Sequence, residues 1–327
     1  MFSITLGIDI SKDKLDVALY QADIYRDGLF SNDKDGYRRL NKWLKKNKAK
    51  EAAVCIEATG RYGDGVAFYL HEHGYRVSVV NPARIKAYGE SLLKRNKTDS
   101  EDAKTIAHFC ATQETYLWTP PSAEVQELQA LSRRLGTLKE ERTRELNRQK
   151  SGLTVTVILE AIDKHIAFLN EQISTLEQRM YDLIAEHPDL HQQHTLLVSI
   201  PGIGKLTAAN FIAEVPDVTR FESAAQLAAY AGLTPRQHKS GSSVRRRTRL
   251  VKTGNVRFRT LFYMPALSAK RHNPIAKALA DRLEDRGKKR MTIVGAVMRK
   301  LVHLAFGVLK HKRPFDPNYI VNLQVTA

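Results

Sequence analysis

Arg95-Asn96-Lys97-Thr98-Asp99-Ser100-Glu101-Asp102-Ala103 opens a helix. Thr98 followed three residues later by Glu101 is a capping box, which fixes a helix start. Asp99 then falls in the first turn, and Asp102 lies three residues on, over the same face. Two carboxylates on one rigid face suit a hard divalent cation, which takes oxygen ligands. Acidic side chains also favour the positive end of a helix dipole for stability alone. The residues upstream weigh between the two readings.

Ile4-Thr5-Leu6-Gly7-Ile8-Asp9-Ile10 reads as a strand with one charge inside an apolar run. A buried lone carboxylate is costly, so Asp9 belongs at a strand end or facing a cation. Leu15, Val17 and Leu19 alternate in a second strand, and a short third is expected near Leu29-Phe30. A helix follows from Asp33 to Lys46. Ala52 to Glu57 is an apolar strand that ends on a carboxylate, and a helix is expected from Gly63 to His73. Arg76 to Val80 is a further strand, closed by Asn81-Pro82. Three early strands followed by alternating helices and strands imply a mixed sheet with helices on its faces. Asp9, Glu57, Asp99 and Asp102 can then converge where open sheets bind ligands. This order of elements and acids resembles the RNase H-like fold in its RuvC-type form, with an Asp-Glu-Asp-Asp set.

Charge divides the chain. Residues 223–327 hold 22 Lys/Arg against four acids, a net +18, and residues 1–222 sum to −1. No acid occurs between Glu222 and Asp281. A basic third on a neutral remainder points to a polyanion, above all nucleic acid. A membrane surface is the weaker partner, because the basic region is not one amphipathic helix. The two cysteines, Cys55 and Cys110, stand far apart in apolar surroundings. They argue against a disulfide framework or zinc site and for a reducing cytosol. The N-terminus lacks a secretory signature and no apolar run reaches membrane-spanning length, so an intracellular protein is expected.

Trp118-Thr119-Pro120-Pro121 marks the end of a first domain, residues 1–118. A helical connector, 119–190, follows. Leu128, Leu131, Leu135 and Leu138 have helical spacing, and a heptad runs from Leu159 through Ile173 to Leu183. That is a coiled-coil pattern, open to pairing within one chain or between chains. The last domain, 191–327, opens with Ile200-Pro201-Gly202-Ile203-Gly204-Lys205. It is not a P-loop, since Ser199 stands where the first glycine is required. It is similar to a helix-hairpin-helix, with Gly202, Gly204 and Lys205 offered to a DNA phosphate; a tight turn between packed helices is the alternative. Arg236, Lys239, Arg245, Arg246, Arg247 and Arg249 surround a Ser/Gly loop of Ser240, Gly241, Ser242 and Ser243. Such a loop grips phosphate, or presents a serine nucleophile among charge-stabilising guanidiniums. Val256 to Leu267 and Met291 to Leu309 are expected helices. His187, His191 and His194 lack a metal-binding pattern and are expected at the surface, while His238 is a conceivable base beside the serine loop, a solvated loop histidine being the commoner case.

Gly7-Ile8-Asp9, Ile56-Glu57-Ala58-Thr59-Gly60, Asn96 to Ala103, Ile200 to Gly204, Ala231 to Pro235 and Ser240 to Ser243 together resemble one family. It is the insertion-sequence "one-ten" transposases, which include the Piv-type DNA invertases, and the match runs end to end. The resemblance implies a RuvC-like domain holding Mg²⁺ on Asp9, Glu57, Asp99 and Asp102, and a mainly α transposase domain whose nucleophile is Ser240. It implies a phosphoserine link to DNA, strand exchange between donor and target DNA, and in some members guidance by a structured bridge RNA. The catalytic parts are expected to meet between protomers of a dimer or tetramer. Two rivals make different predictions: a metal-dependent junction nuclease needs no serine, and a nucleic-acid-binding assembly protein needs no carboxylate.

Overall fold

Apolar alternation in Ile4–Ile10 gives β1, which returns antiparallel as β2 (Lys14–Gln21). Ala22 and Asp23, both at positive φ, make the tight turn into β3 (Ile24–Ser31). That strand is a full eight residues, longer than the segment expected near Leu29-Phe30. It lies at the sheet edge, where Ile24 and Leu29 are more than half exposed, so apolar alternation does not mark its length. Next come α1 (Lys34–Lys46), β4 (Ala53–Glu57), α2 (Asp64–Glu72), β5 (Arg76–Val80), α3 (Pro82–Ser91) and α4 (Asp99–Thr112). Asn81-Pro82 does more than close β5. The Asn81 side chain accepts from Ala83 N–H at 2.8 Å, and Pro82 sits at the first helical position, so the pair starts α3.

This computed structural model describes residues 2–58, 60–92, 98–152, 154–236, 239–240, 244–245, 249–251 and 253–318. The chain divides into two compact units, Met1–Pro120 and Pro121–Ala327. In the first, the sheet order is β3-β2-β1-β4-β5, with β1–β3 antiparallel and β1, β4 and β5 parallel. Its two faces differ. Leu6, Ile8, Leu15, Val17 and Leu19 bury against Leu40 and Leu44 of α1 and Val66 and Leu70 of α2. Thr5, Gly7 and Asp9 point the other way, under α4.

Helix α4 lies directly on the β1 backbone. Thr5 Oγ1 donates to the Ala107 carbonyl at 2.8 Å. A Cβ at Gly7 would stand 2.2 Å from Ala103 O and 2.3 Å from Ala107 N. Ala103 and Ala107 pack on Ala18 of β2, whereas Ile106 and Cys110 pack on Ala53 and Cys55 of β4. The two cysteines, distant in sequence, thus share one cluster. A hydrogen bond with Cys110, then burial, pushes the Cys55 thiol up. Trp118 closes the unit by donating its N–H to Val77 O at 2.8 Å and setting its ring edge-on to Phe68.

The second unit is mostly helical. Helices α5 (Ala123–Gln149) and α6 (Thr156–Glu186) form an antiparallel hairpin within the chain. Leu128, Leu135, Leu138, Leu169, Ile173, Met180 and Leu183 fill its core. Lys139–Glu177 at 2.7 Å and Arg179–Glu127 at 2.8 Å bridge its sides. The same core continues through α7 (Pro188–Val198), α8 (Lys205–Glu214), α9 (Ala224–Tyr230), α10 (Val256–Leu261), α11 (Tyr263–His272), α12 (Pro274–Asp285) and α13 (Arg290–His311). The helix expected from Val256 to Leu267 divides at Phe262, because Pro265 has no N–H to give the Leu261 carbonyl. Helix α13 is long and apolar enough to cross a membrane, contrary to the expectation that no run reaches that length. It is instead the central core helix, with Val297, Leu301, Val302 and Ala305 fully buried.

Candidate carboxylate site and serine ribbon

Strand register builds the first half of the site. Asp9 of β1 pairs with Asp16 of β2 across the antiparallel ladder. On the other side, Gly7 pairs with Cys55 and Ile8 with Ile56, so one step further Asp9 stands beside Glu57. Equal parity puts all three on the face covered by α4. They form a row, Asp16–Asp9–Glu57, across one end of the sheet.

Helix α4 supplies the second half. Thr98 Oγ1 accepts from Glu101 N–H at 3.3 Å, so the helix begins at Asp99 as its capping box predicts. Because Ala103 and Ala107 rest on β1 and β2, Asp99, one turn earlier on that stripe, projects toward β2. Asp102 lies one turn before Ile106, on the stripe that faces β4. The first turn is also tied laterally. Lys104 Nζ reaches Asp27 at 3.2 Å and Glu101 at 3.1 Å, and Ser100 Oγ donates to Asp27 at 3.0 Å.

These carboxylates feel one another. Burial, then the charges of Asp102, Asp99 and Asp16, hold the Asp9 carboxyl above its ordinary value, against the Ile10 N–H it accepts at 3.0 Å. Asp99 moves the other way. Its hydrogen bond from Lys14, at 2.7 Å, lowers it. The same ammonium lies 3.0 Å from Asp16. Among the described residues, no three His, Cys, Asp or Glu side chains converge as a ready-made ligand set. The four carboxylates named from sequence are grouped at one end of one face, with Asp99 held by a lysine.

Sequence reasoning missed Asp16 and Lys14. The signal was present: Leu15, Val17 and Leu19 facing one core leave Lys14, Asp16, Ala18 and Tyr20 on the opposite face.

The second unit positions the serine differently. β6 (Pro235–Arg236) pairs with β9 (Arg249–Leu250), and β7 (Lys239–Ser240) pairs with β8 (Val244–Arg245). Ser240, the first residue of the expected Ser/Gly loop, lies in β7 opposite Val244, and the rest of that loop, 241–243, lies outside the described residues. Ser242, Ser243, Arg246, Arg247 and His238 lie outside the described residues. Of Arg236, Lys239, Ser240, Arg245 and Arg249 only the backbone is described.

The ribbon's stems are well anchored. Arg299 of α13 donates to Leu233 O and Thr234 Oγ1, both at 3.3 Å. Asn255 donates to Glu214 at 2.7 Å and to Tyr230 Oη at 3.0 Å, while its Oδ1 caps α10 through Phe258 N–H. Gly254, at φ +144°, lets the returning chain lie on α9; a Cβ there would stand 2.4 Å from Tyr230 O.

The Pro201–Gly204 turn joins α7 to α8, as a helix-hairpin-helix requires. Gly202, at φ +104°, backs onto Ala269, where a Cβ would stand 2.7 Å away. Packing therefore explains why this position carries no side chain. Gly204 caps α8 with open space around it and no side-chain cap, and Lys205 beside it is exposed.

Residues 6–158 match a family model described as "Transposase", of the DEDD type, and residues 194–281 match one described as "Transposase IS116/IS110/IS902 family". The pilin gene-inverting protein of Moraxella bovis is 34% identical over 315 residues, covering 95% of this chain and 97% of the relative. The Moraxella lacunata protein of the same name matches to the same extent. A transposase for insertion sequence element IS1111A from Coxiella burnetii is 27% identical over 254 residues, covering 68% of this chain and 67% of the relative. End-to-end similarity at this level, with both models in order, places the chain in the IS110 family of transposases, enzymes that break and rejoin DNA.

Proposed function

We propose that this transposase exchanges DNA strands through a phosphoserine intermediate on Ser240, assisted by Mg²⁺ held on Asp9, Glu57, Asp99 and Asp102. The observation that carries the reading is the row Asp16–Asp9–Glu57 lying under the N-terminal turn of α4. The 3-2-1-4-5 sheet order supports assigning this unit to the RuvC-type RNase H-like fold.

The carboxylate set has the chemistry of a hard-cation site. Every donor is oxygen, the charges repel one another, and a lysine ammonium already stands among them as a counter-ion. A divalent ion bound there supplies Lewis-acid polarisation of a phosphoryl oxygen and charge neutralisation. The chain's own residues do the rest. The Ser240 hydroxyl attacks phosphorus, one phosphodiester bond breaks, and the released strand hydroxyl takes up the proton. A strand hydroxyl then attacks the phosphoserine and frees the serine. One phosphoester replaces another at each step, so no energy cofactor is consumed. Arg236, Lys239, Arg245, Arg246, Arg247 and Arg249 neutralise the phosphates in that reading.

The remaining assignments follow the family resemblance. Donor and target DNA are the substrates, a bridge RNA selects them, and a homo-oligomer joins two duplexes. Gly202, Gly204 and Lys205 contact phosphate at the open start of α8, and the α5–α6 hairpin is the connector of residues 119–190. The basic region gives DNA affinity a steep dependence on salt.

Denaturing gels of stalled reactions test the mechanism. The wild type should carry DNA covalently, Ser240→Ala should carry none, and Asp102→Ala should abolish strand exchange. A Ser240→Ala protein that still cleaves branched DNA with water would instead identify a junction nuclease. RNase treatment of the purified complex tests guidance, and retained site choice afterwards overturns it.

A further inference from the structure

Lys14 is fixed at its backbone by Ser11 and carries its ammonium between two carboxylates. Lys14 N–H donates to Ser11 Oγ at 3.2 Å, while Ser11 N–H and Oγ donate to Lys14 O at 3.0 and 3.1 Å. The side chain, 44% exposed, then reaches across to bridge Asp16 at 3.0 Å and Asp99 at 2.7 Å. Those partners differ. Asp16 is anchored on a strand and only 18% exposed, whereas Asp99 is 59% exposed on the first turn of α4. A half-buried carboxylate needs a partner more than an exposed one does.

We infer that Lys14 is a displaceable counter-ion of the carboxylate site: it holds Asp99 while the site lacks a divalent cation, and it withdraws onto Asp16 when Asp99 turns to that cation. Asp16 is therefore not a fifth ligand but the resting partner that keeps the lysine charge close by. The inference rests on the metal-site reading proposed above. It explains why a transposase would carry an unassigned Lys–Asp pair on the very row that bears its carboxylates. Cation binding becomes an exchange in which one positive charge replaces another, so the α4 turn keeps a charge partner throughout.

The test is calorimetric titration of the full chain with Mn²⁺ alone, without nucleic acid. Lys14→Met keeps the aliphatic stem, and thermal melting in chelator checks that it folds. The variant should bind Mn²⁺ roughly three- to tenfold more tightly, the scale of one or two half-exposed ion pairs. Asp16→Asn should weaken binding in the wild-type background by more than in the Lys14→Met background, because its effect acts through the lysine. Unchanged or weaker binding by Lys14→Met overturns the inference, and so does an Asp16→Asn effect equal in both backgrounds. The two levels of failure are separable. Binding that depends on Asp9 and Asp102 but ignores Lys14 removes only this inference; no Asp9-dependent binding in the wild type removes the metal site, and the inference with it.

Discussion

The two regions that carry the proposed chemistry are held by opposite means. The carboxylates are placed by backbone packing, since α4 rests on β1 at Gly7, where there is no room for a side chain. The serine ribbon is placed by hydrogen bonds at its stems, from Arg299 and Asn255. Packing of backbone on backbone cannot relax without moving a whole helix. Stem hydrogen bonds can be lost singly, at moderate cost. The first region is therefore brittle to added volume, and the second is sensitive to lost donors.

The largest effect is expected from Gly7→Val. The atoms in the way are Ala103 O and Ala107 N, both backbone, so no rotamer change relieves the clash. Helix α4 must lift and carry Asp99 and Asp102 away from Asp9. Overpacking of this kind costs about 3 kcal/mol. Thermal melting should show the loss, and Mn²⁺ titration should show weak or absent binding by the protein that remains folded. Wild-type melting would mean that α4 does not lie on β1.

A smaller effect is expected at Asn255. Replacing it by alanine removes the α10 cap and the two contacts to Glu214 and Tyr230, about 2 kcal/mol together. Asn255→Asp separates these roles. Its carboxylate still caps Phe258 N–H, yet it sets a like charge against Glu214. Stability should recover more than strand exchange does, and the yield of covalent DNA adduct measures the difference. Equal recovery of both would show that the ribbon does not depend on this anchor.

How much of this was legible in the sequence follows the same divide. The mixed sheet and the mostly helical remainder were readable because Leu6, Ile8, Leu15 and Val17 alternate, and because Leu128, Leu135 and Leu138 keep helical spacing. Thr98 and Glu101 marked the start of α4 through local chemistry that needs no tertiary partner. What escaped depended on pairing. Asp16 joins the row only through its register with Asp9, and Lys14 reaches Asp99 across 85 positions of sequence. Cys55 and Cys110 looked remote for the same reason. The strands at Lys239–Ser240 and Val244–Arg245 are not legible because each is two residues long and lacks apolar alternation.

Asp9 and Asp99 should also respond to pH with opposite sign. Asp9 has its carboxyl raised in the folded chain by burial and by Asp102 and Asp99, so the fold prefers its protonated form. Its contribution is thus favourable below the ordinary carboxylate range and is lost as pH rises through the raised value. At neutral pH the ionised side chain destabilises the cation-free protein, a cost tolerated for function. Asn cannot ionise and can still accept the Ile10 N–H. In chelator at neutral pH, Asp9→Asn should therefore melt higher than the wild type, by about 1 kcal/mol, while losing Mn²⁺ binding. The gain should shrink toward zero in acid, where wild-type Asp9 is itself protonated. Asp99 has the opposite sign: Lys14 lowers it, so the stability it contributes is present above the ordinary carboxylate range and lost as pH falls through its lowered value. If Asp9→Asn and Asp99→Asn shifted the melting curve in the same direction at neutral pH, the two acids would not stand in the unlike environments described, one crowded by carboxylates and one paired with a lysine.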